Sequence, residues 1–186
     1  MFKITGAKFL IFIAIIAILF IFSGFIKFFF KRLKLKSKVK KLCKQKGYTL
    51  NVSGSWFASF DSEKADFTVG TPTKSYVVKL VGAKHRTHYD LVDDTHYRTT
   101  WMLFSKNGAK TPELHEKKKY DFGEIKEDTV IPILLLNPVA AEFTYKDAGT
   151  GNGDFVGEAF LYNLTGFLNL IESDETPKKR KKVYGE

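Results

Sequence analysis

The chain has 186 residues, 44% hydrophobic, 15% aromatic and 27% charged, a globular profile that excludes wholesale disorder and suits one domain plus any segment held in lipid. A formal charge of +10 invites a nucleic-acid partner, but residues 27–46 carry ten Lys/Arg and no acid, and KKRKK at 178–182 carries five more. Residues 47–177 hold 13 Lys/Arg against 19 Asp/Glu, so the candidate domain is mildly acidic, the reverse of a surface that lies along polyphosphate.

From Phe9 to Ile26 run 18 uncharged, mostly aliphatic and aromatic residues. At 1.5 Å per residue they cover roughly 27 Å, close to the hydrocarbon thickness of a bilayer. The run is longer than a signal-peptide core, lacks an A-x-A-like site and leads into FIKFFFKRLKLK, a stop-transfer pattern. Residues 1–30 are therefore expected to be a transmembrane anchor. The heavy Lys/Arg excess on the C-terminal flank predicts the N-terminus outside and the following domain on the cytoplasmic face of the cell membrane.

Residues 31–47 read as a basic juxtamembrane helix. Leu35, Val39, Leu42 and Cys43 fall at i, i+4, i+7 and i+8, one apolar stripe among lysines, and Gly47 is a natural stop. Lys27, Lys31, Arg32, Lys34, Lys36 and Lys38 are the residues expected to contact anionic headgroups, at about 1 kcal/mol each near the surface. Cys43, the only cysteine, excludes an intrachain disulfide and reads as a small hydrophobe on that stripe.

After Gly47 the period switches to two, and residues 48–173 are expected to form an α+β or α/β domain: one mixed, largely antiparallel sheet with flanking helices. The runs DFTV and SYVVKL flank a turn at Gly70-Thr71-Pro72, and YDLV and THYRTTWMLF flank Asp93-Asp94. Taking Asp93-Asp94 as a two-residue turn puts Tyr97 opposite Asp90, His96 opposite Leu91, Thr99 opposite His88, and Tyr89 across from Arg98. The histidines of HRTHYDLVDDTH are then spread along the ladder, and no metal site is expected. Residues 105–129 read as a long polar loop, VIPILLLNP as a buried strand, and AEFTYK as its partner or continuation. GTGNGDFVG lacks the features of a phosphate loop and reads as a glycine-rich turn. Phe155 to Tyr162 reads as a strand, followed by a helix capped by Asn163 or Thr165. The tail, 174–186, reads as basic and disordered.

In ADFTVGTPTKSYVVKL, residues 65–80, an aspartate opens one strand and a lysine lies near the end of the next. A helix followed by these two strands resembles the PD-(D/E)xK nuclease family in degenerate form, over roughly residues 33–170. That resemblance implies a restriction-endonuclease-like fold in which acids hold a divalent metal, such as Mg²⁺, and a lysine positions the attacking water. Asp66 matches the first acid and Lys79 the lysine, the two candidate catalytic residues; Val77 stands where the second acid belongs, and valine cannot bind a hard cation. The expected function is accordingly non-enzymatic: a membrane-tethered binding or scaffolding module near anionic lipid, without a cofactor, and with room for a protein partner. A membrane-anchored nuclease or nucleic-acid binder is the alternative.

Overall fold

The computed structural model describes residues 6–57, 64–82, 87–92, 96–101, 112–116, 121–124, 129–137, 142–145, 148–149, 151–156 and 159–177. The chain opens with one uninterrupted helix, α1 (Gly6–Lys46), 41 residues and so about 61 Å long. The expected anchor and juxtamembrane helix are thus one rod. It stops where Gly47 takes φ 70° and the Tyr48 N–H donates to the Cys43 carbonyl at 2.9 Å, a Schellman closure that only a residue at ease in the left-handed region permits. Among the described residues no helix is long and apolar enough to cross a membrane. The uncharged run Phe9–Ile26 includes residues 17–25, whose side chains lie outside those described.

Eleven strands follow among the described residues: β1 (Thr49–Val52), β2 (Phe67–Gly70), β3 (Ser75–Val81), β4 (Thr87–Leu91), β5 (His96–Trp101), β6 (Glu113–Glu116), β7 (Val130–Leu136), β8 (Glu142–Tyr145), β9 (Ala148–Gly149), β10 (Phe155–Val156) and β11 (Ala159–Asn163). They form a mixed α+β structure, but in two sheets where one was expected. The larger has the order β1-β2-β3-β7-β11-β10, with β3, β7 and β11 parallel at its centre; the smaller has the order β6-β5-β4-β8-β9.

The central strands are buried on both faces. Tyr76, Val78 and Leu80 of β3 and Ile131, Ile133 and Leu135 of β7 share a core with Leu35, Val39 and Cys43 of α1. Phe167, Leu170 and Ile171 of the closing helix α2 (Leu164–Ser173) join the same core. On the other face Val81, Leu134, Leu136 and Leu161 pack with Leu91 and Tyr97 of the smaller sheet. Double burial is why VIPILLL is apolar without alternation. The predicted α1 stripe is present, with Leu35, Val39 and Cys43 each at most 3% exposed and Leu42 packed beside them.

Four local expectations are corrected. The polar stretch 105–129 contains β6, which pairs with β5, and an isolated bridge from Lys64 to Asp121. AEFTYK joins the smaller sheet as β8, parallel to β4, and is not a partner of β7. Phe155 to Tyr162 is a tight hairpin of β10 and β11, not one strand. The β4–β5 register is one residue away from that of a two-residue turn: Leu91 faces Tyr97, Asp90 faces Arg98, and Tyr89 faces Thr99. That pairing leaves an odd number of turn residues, and one residue of slip moves every side chain to the opposite partner. The Tyr89–Arg98 pair gives way to an Asp90–Arg98 ion pair at 3.7 Å. The turn itself and residues 178–186 of the tail lie outside the described residues, whereas Asp174 and Glu175, expected to be disordered, are hydrogen-bonded to the β2–β3 turn and β3.

Asn163, the last residue of β11, caps α2 by accepting from the Gly166 N–H at 2.9 Å. The helix ends at Asp174, whose φ of 51° is the left-handed region and whose carboxylate accepts from the Thr71 and Thr73 hydroxyls, both at 2.6 Å. Lys74 adds an ion pair at 3.9 Å and donates to the Asp174 carbonyl, and the Tyr76 hydroxyl donates to the Glu175 carbonyl at 3.1 Å. Burial pushes the Asp174 carboxyl up, but these hydroxyls, Lys74 and Tyr76 together hold it below its usual value. A depressed carboxyl stabilises the fold above its unfolded pKa, about 4, and that contribution is lost as pH falls through the lower folded value. Asp174→Asn, which tolerates the same backbone, should flatten the acid limb of a stability-versus-pH curve below about pH 4 while leaving the fold intact. An unchanged acid limb, read by circular dichroism, would exclude this role.

Candidate functional site

Asp66 and Lys79, 13 residues apart in sequence, meet in the interior. Asp66 lies one residue before β2, where its N–H donates to the Val78 carbonyl at 2.8 Å and its carbonyl accepts from the Ser53 and Gly54 N–H groups at 3.1 and 2.9 Å. Its side chain accepts from the Leu80 N–H at 2.7 Å through Oδ2, and the same oxygen lies 3.2 Å from Lys79 Nζ. Lys79 Nζ also donates to the Lys64 carbonyl at 2.9 Å. Both side chains are essentially sealed, at 1% and 0% exposure. Antiparallel pairing of Phe67 with Val78 places Asp66 beside Lys79, so the meander itself builds the pair.

Arg32 is the third charge, and it comes from α1. Expected among the headgroup-facing residues, it is instead fully buried, with its guanidinium over the Phe28 ring at 5.0 Å. It reaches the carboxyl ends of β3 and β7: a Cβ on Gly82 would stand 2.8 Å from Arg32 Nη2 and 2.6 Å from the Asn137 carbonyl oxygen. Phe28, Arg32, Leu35 and Val39 fall at i, i+4, i+7 and i+11, and that spacing was the available signal. A cationic residue on an apolar stripe is one that faces the core. The remaining basic positions agree with an outward face, with Lys27, Lys31, Lys34 and Lys38 exposed and Lys36 half-buried.

Burial dominates all three titrations. It pushes Asp66 up, against the Leu80 N–H and the charges of Lys79 and Arg32. It pushes Lys79 down, against the Asp66 carboxylate, and it lowers Arg32 to about 10, so the guanidinium stays protonated near neutrality. The cluster thus brings two basic groups and one carboxyl together, with burial opposing the charge of each. Cys43 sits apart on the same helix at 3% exposure, its thiol pushed up by burial.

A divalent cation would need more oxygen than this. Val77 pairs with Thr68 on one side and Pro132 on the other, so neither neighbouring strand supplies a carboxylate at that register. Asp66 Oδ1, a buried carboxylate oxygen without a hydrogen-bond partner among the described residues, lies against the Gly54 backbone, where an added Cβ would stand 2.8 Å away. One sealed carboxylate clasped by lysine does not make a hard-cation site. Among the described residues no three of His, Cys, Asp and Glu converge. The arrangement suits an ionic lock that ties the β1 exit, the β2–β3 hairpin and α1 together.

A second polar chain runs through the smaller sheet. The Thr144 hydroxyl donates to Asp90 Oδ1 at 2.5 Å and lies 3.0 Å from His88 Nε2, with Asp90 only 2% exposed. Sequence reasoning placed His88 and Asp90 on one strand but missed Thr144, which arrives on the parallel neighbour β8 from 54 residues away. Compared with known proteins, the chain matches no protein-family profile, no curated sequence and no solved structure.

Proposed function

We propose that this chain is a single-pass membrane protein whose α1 crosses the bilayer with its first half and carries, on the basic cytoplasmic flank, a non-enzymatic binding or scaffolding module beside anionic lipid. The observation that carries the reading is the state of α1 before the domain begins. Phe9, Leu10, Ile11, Phe12 and Ile13 are each 47–68% exposed, and Ile15 and Ile16 are each 50% exposed. Five successive residues point to every side of a helix, so this stretch is an apolar rod exposed on every face among the described residues. A helix that is hydrophobic all round is stable when lipid or protein surrounds it. Lys27, Lys31, Lys34 and Lys38 then emerge where anionic headgroups lie, and the mildly acidic domain stands beyond them.

In intact cells the full chain should stay with membranes through alkaline carbonate extraction, and external protease should spare a C-terminal tag. Release by carbonate would sink the span; rapid loss of the tag would reverse its direction.

A second reading, a membrane-anchored nuclease of PD-(D/E)xK type, is favoured by one observation, the contact between Asp66 and Lys79 on a β2–β3 hairpin beside parallel β7. Incubating the full chain with nucleic acid and Mg²⁺ or Mn²⁺ separates the two. Under the binding-module reading nothing is cut; under the nuclease reading cleavage occurs and Asp66→Asn abolishes it.

A further inference from the structure

Between residues 26 and 39, α1 carries three stripes. Phe28, Arg32, Leu35 and Val39 face the domain, and Lys27, Lys31, Lys34 and Lys38 face solvent. The third stripe, Ile26, Phe29, Phe30 and Leu33, is apolar at i, i+3, i+4 and i+7 and stays exposed at 37%, 39%, 63% and 36%. The domain adds to it. Phe57, just beyond β1, stacks on Phe29 with ring centroids 4.9 Å apart and planes 10° from parallel, and is itself 38% exposed. Its neighbour Trp56 points the other way, 7% exposed and stacked on Phe67 at 4.7 Å.

We propose that Phe57, with Ile26, Phe29, Phe30 and Leu33, forms an interfacial foot that seats the domain in the headgroup layer of an anionic bilayer and fixes its tilt. Given that α1 spans the membrane as proposed above, the depth follows from helix geometry. Phe29 lies three residues past Ile26, about 4.5 Å along the axis, within the roughly 5–7 Å of interface on each side of the hydrocarbon. The stack holds Phe57 at that same depth. The stripe has the same exposed apolar character as Phe9–Ile13, Ile15 and Ile16 earlier on the helix, so the occupant is the same lipid. The lysine stripe on the adjoining face complements anionic headgroups, the combination of apolar and basic sectors that keeps a helix at an interface. Phe57 matters because it belongs to the domain: α1 alone could swivel, whereas a second contact off the helix axis orients the whole body.

The test uses the full chain with Cys43→Ala, reconstituted in phosphatidylserine-containing vesicles, with one environment-sensitive fluorophore attached through Phe57→Cys, Ile13→Cys or Gln45→Cys. Gln45 lies 19 residues beyond Ile26, about 28 Å along the helix, and serves as the water-exposed reference. The label at 57 should be quenched by lipids carrying a nitroxide near the headgroup, and several-fold less than the label at 45 by aqueous iodide. The label at 13 should be quenched best by a nitroxide near the chain ends. If position 57 behaves like 45 while 13 remains in lipid, the foot is excluded and the span stands. If 13 is itself open to iodide, the span falls and the foot with it. With the label moved to Ser55→Cys, an exposed neighbour that leaves the Phe57 ring in place, replacing Phe29 by Ala should raise iodide access at 55, and no change there would exclude the stack as the holding contact.

Discussion

Asp66→Ala should destabilise the folded chain by about 3–5 kcal/mol, because it leaves the Lys79 ammonium sealed in the interior with no countercharge. It also removes the acceptor of the Leu80 N–H, and an orphaned buried donor costs about 1–3 kcal/mol. Lys79→Met leaves the opposite charge behind, and its pH dependence should reveal it. With burial no longer opposed by the lysine, the Asp66 carboxyl, already pushed up in the parent, should move further above its unfolded value. An acid of that kind binds its proton more tightly when folded, so the variant should gain stability as pH falls from neutrality toward the unfolded pKa of about 4. The double variant Asp66→Ala, Lys79→Met should lose less than the sum of the singles, since neither buried charge remains. Urea unfolding of the full chain in detergent, followed by circular dichroism, reads all three midpoints. Additive losses would mean that the two side chains do not act as a pair. If Asp66→Ala is within about 1 kcal/mol of the parent, the ionic lock is not structural, and a functional reason for burying it becomes the better account.

Phe67→Ala should cost about 3–5 kcal/mol through the cavity it leaves. Its ring is fully buried between Trp56, stacked at 4.7 Å, and Phe167, edge-on at 6.1 Å, so no single neighbour can fill the space. These aromatic contacts are worth about 0.5–1.5 kcal/mol each beyond burial. Phe57→Ala, by contrast, removes a ring already 38% exposed and should cost well under half as much. In a Trp101→Phe background the emission of Trp56 should shift to the red for Phe67→Ala. A blue emission together with an unchanged urea midpoint would show that α1, the β2–β3 hairpin and α2 do not depend on this contact.

What sequence could reveal divides along the reach of each interaction. Gly47 as a helix stop, Leu35, Val39 and Cys43 as a buried stripe, and Asn163 as an N-cap were all legible, because each depends on neighbours within a turn or two. The β2–β3 hairpin that carries Asp66 and Lys79 was legible too, but the sealed ion pair between them was not foreseen. Arg32 was missed because ten basic residues within twenty positions hide the one that faces inward. The split into two sheets left no local trace. β3 takes β7 as its parallel partner across a separation of 55 residues, from Ser75 to Val130, and nothing in SYVVKLV names that partner. The β4–β5 register failed on a single turn residue, which composition does not fix.

The order in which the parts are joined has a consequence for how the protein comes into being. α1 leaves the ribosome first, yet the surfaces that cover its apolar stripe include β7, β11 and α2, which are made last. Three of the five described strands of the smaller sheet, β4, β5 and β6, are synthesised between β3 and β7, so the central parallel pair cannot zip until that insertion has been made. Loop closure on that scale makes assembly slow, and through the wait Leu35, Val39 and Cys43 have no protein to rest on. For a nascent chain threaded into a bilayer, the nearest apolar surface is the membrane itself. If the chain is inserted as proposed, maturation is a transfer of one helix face from lipid to protein, and Arg32 is carried into the interior with it.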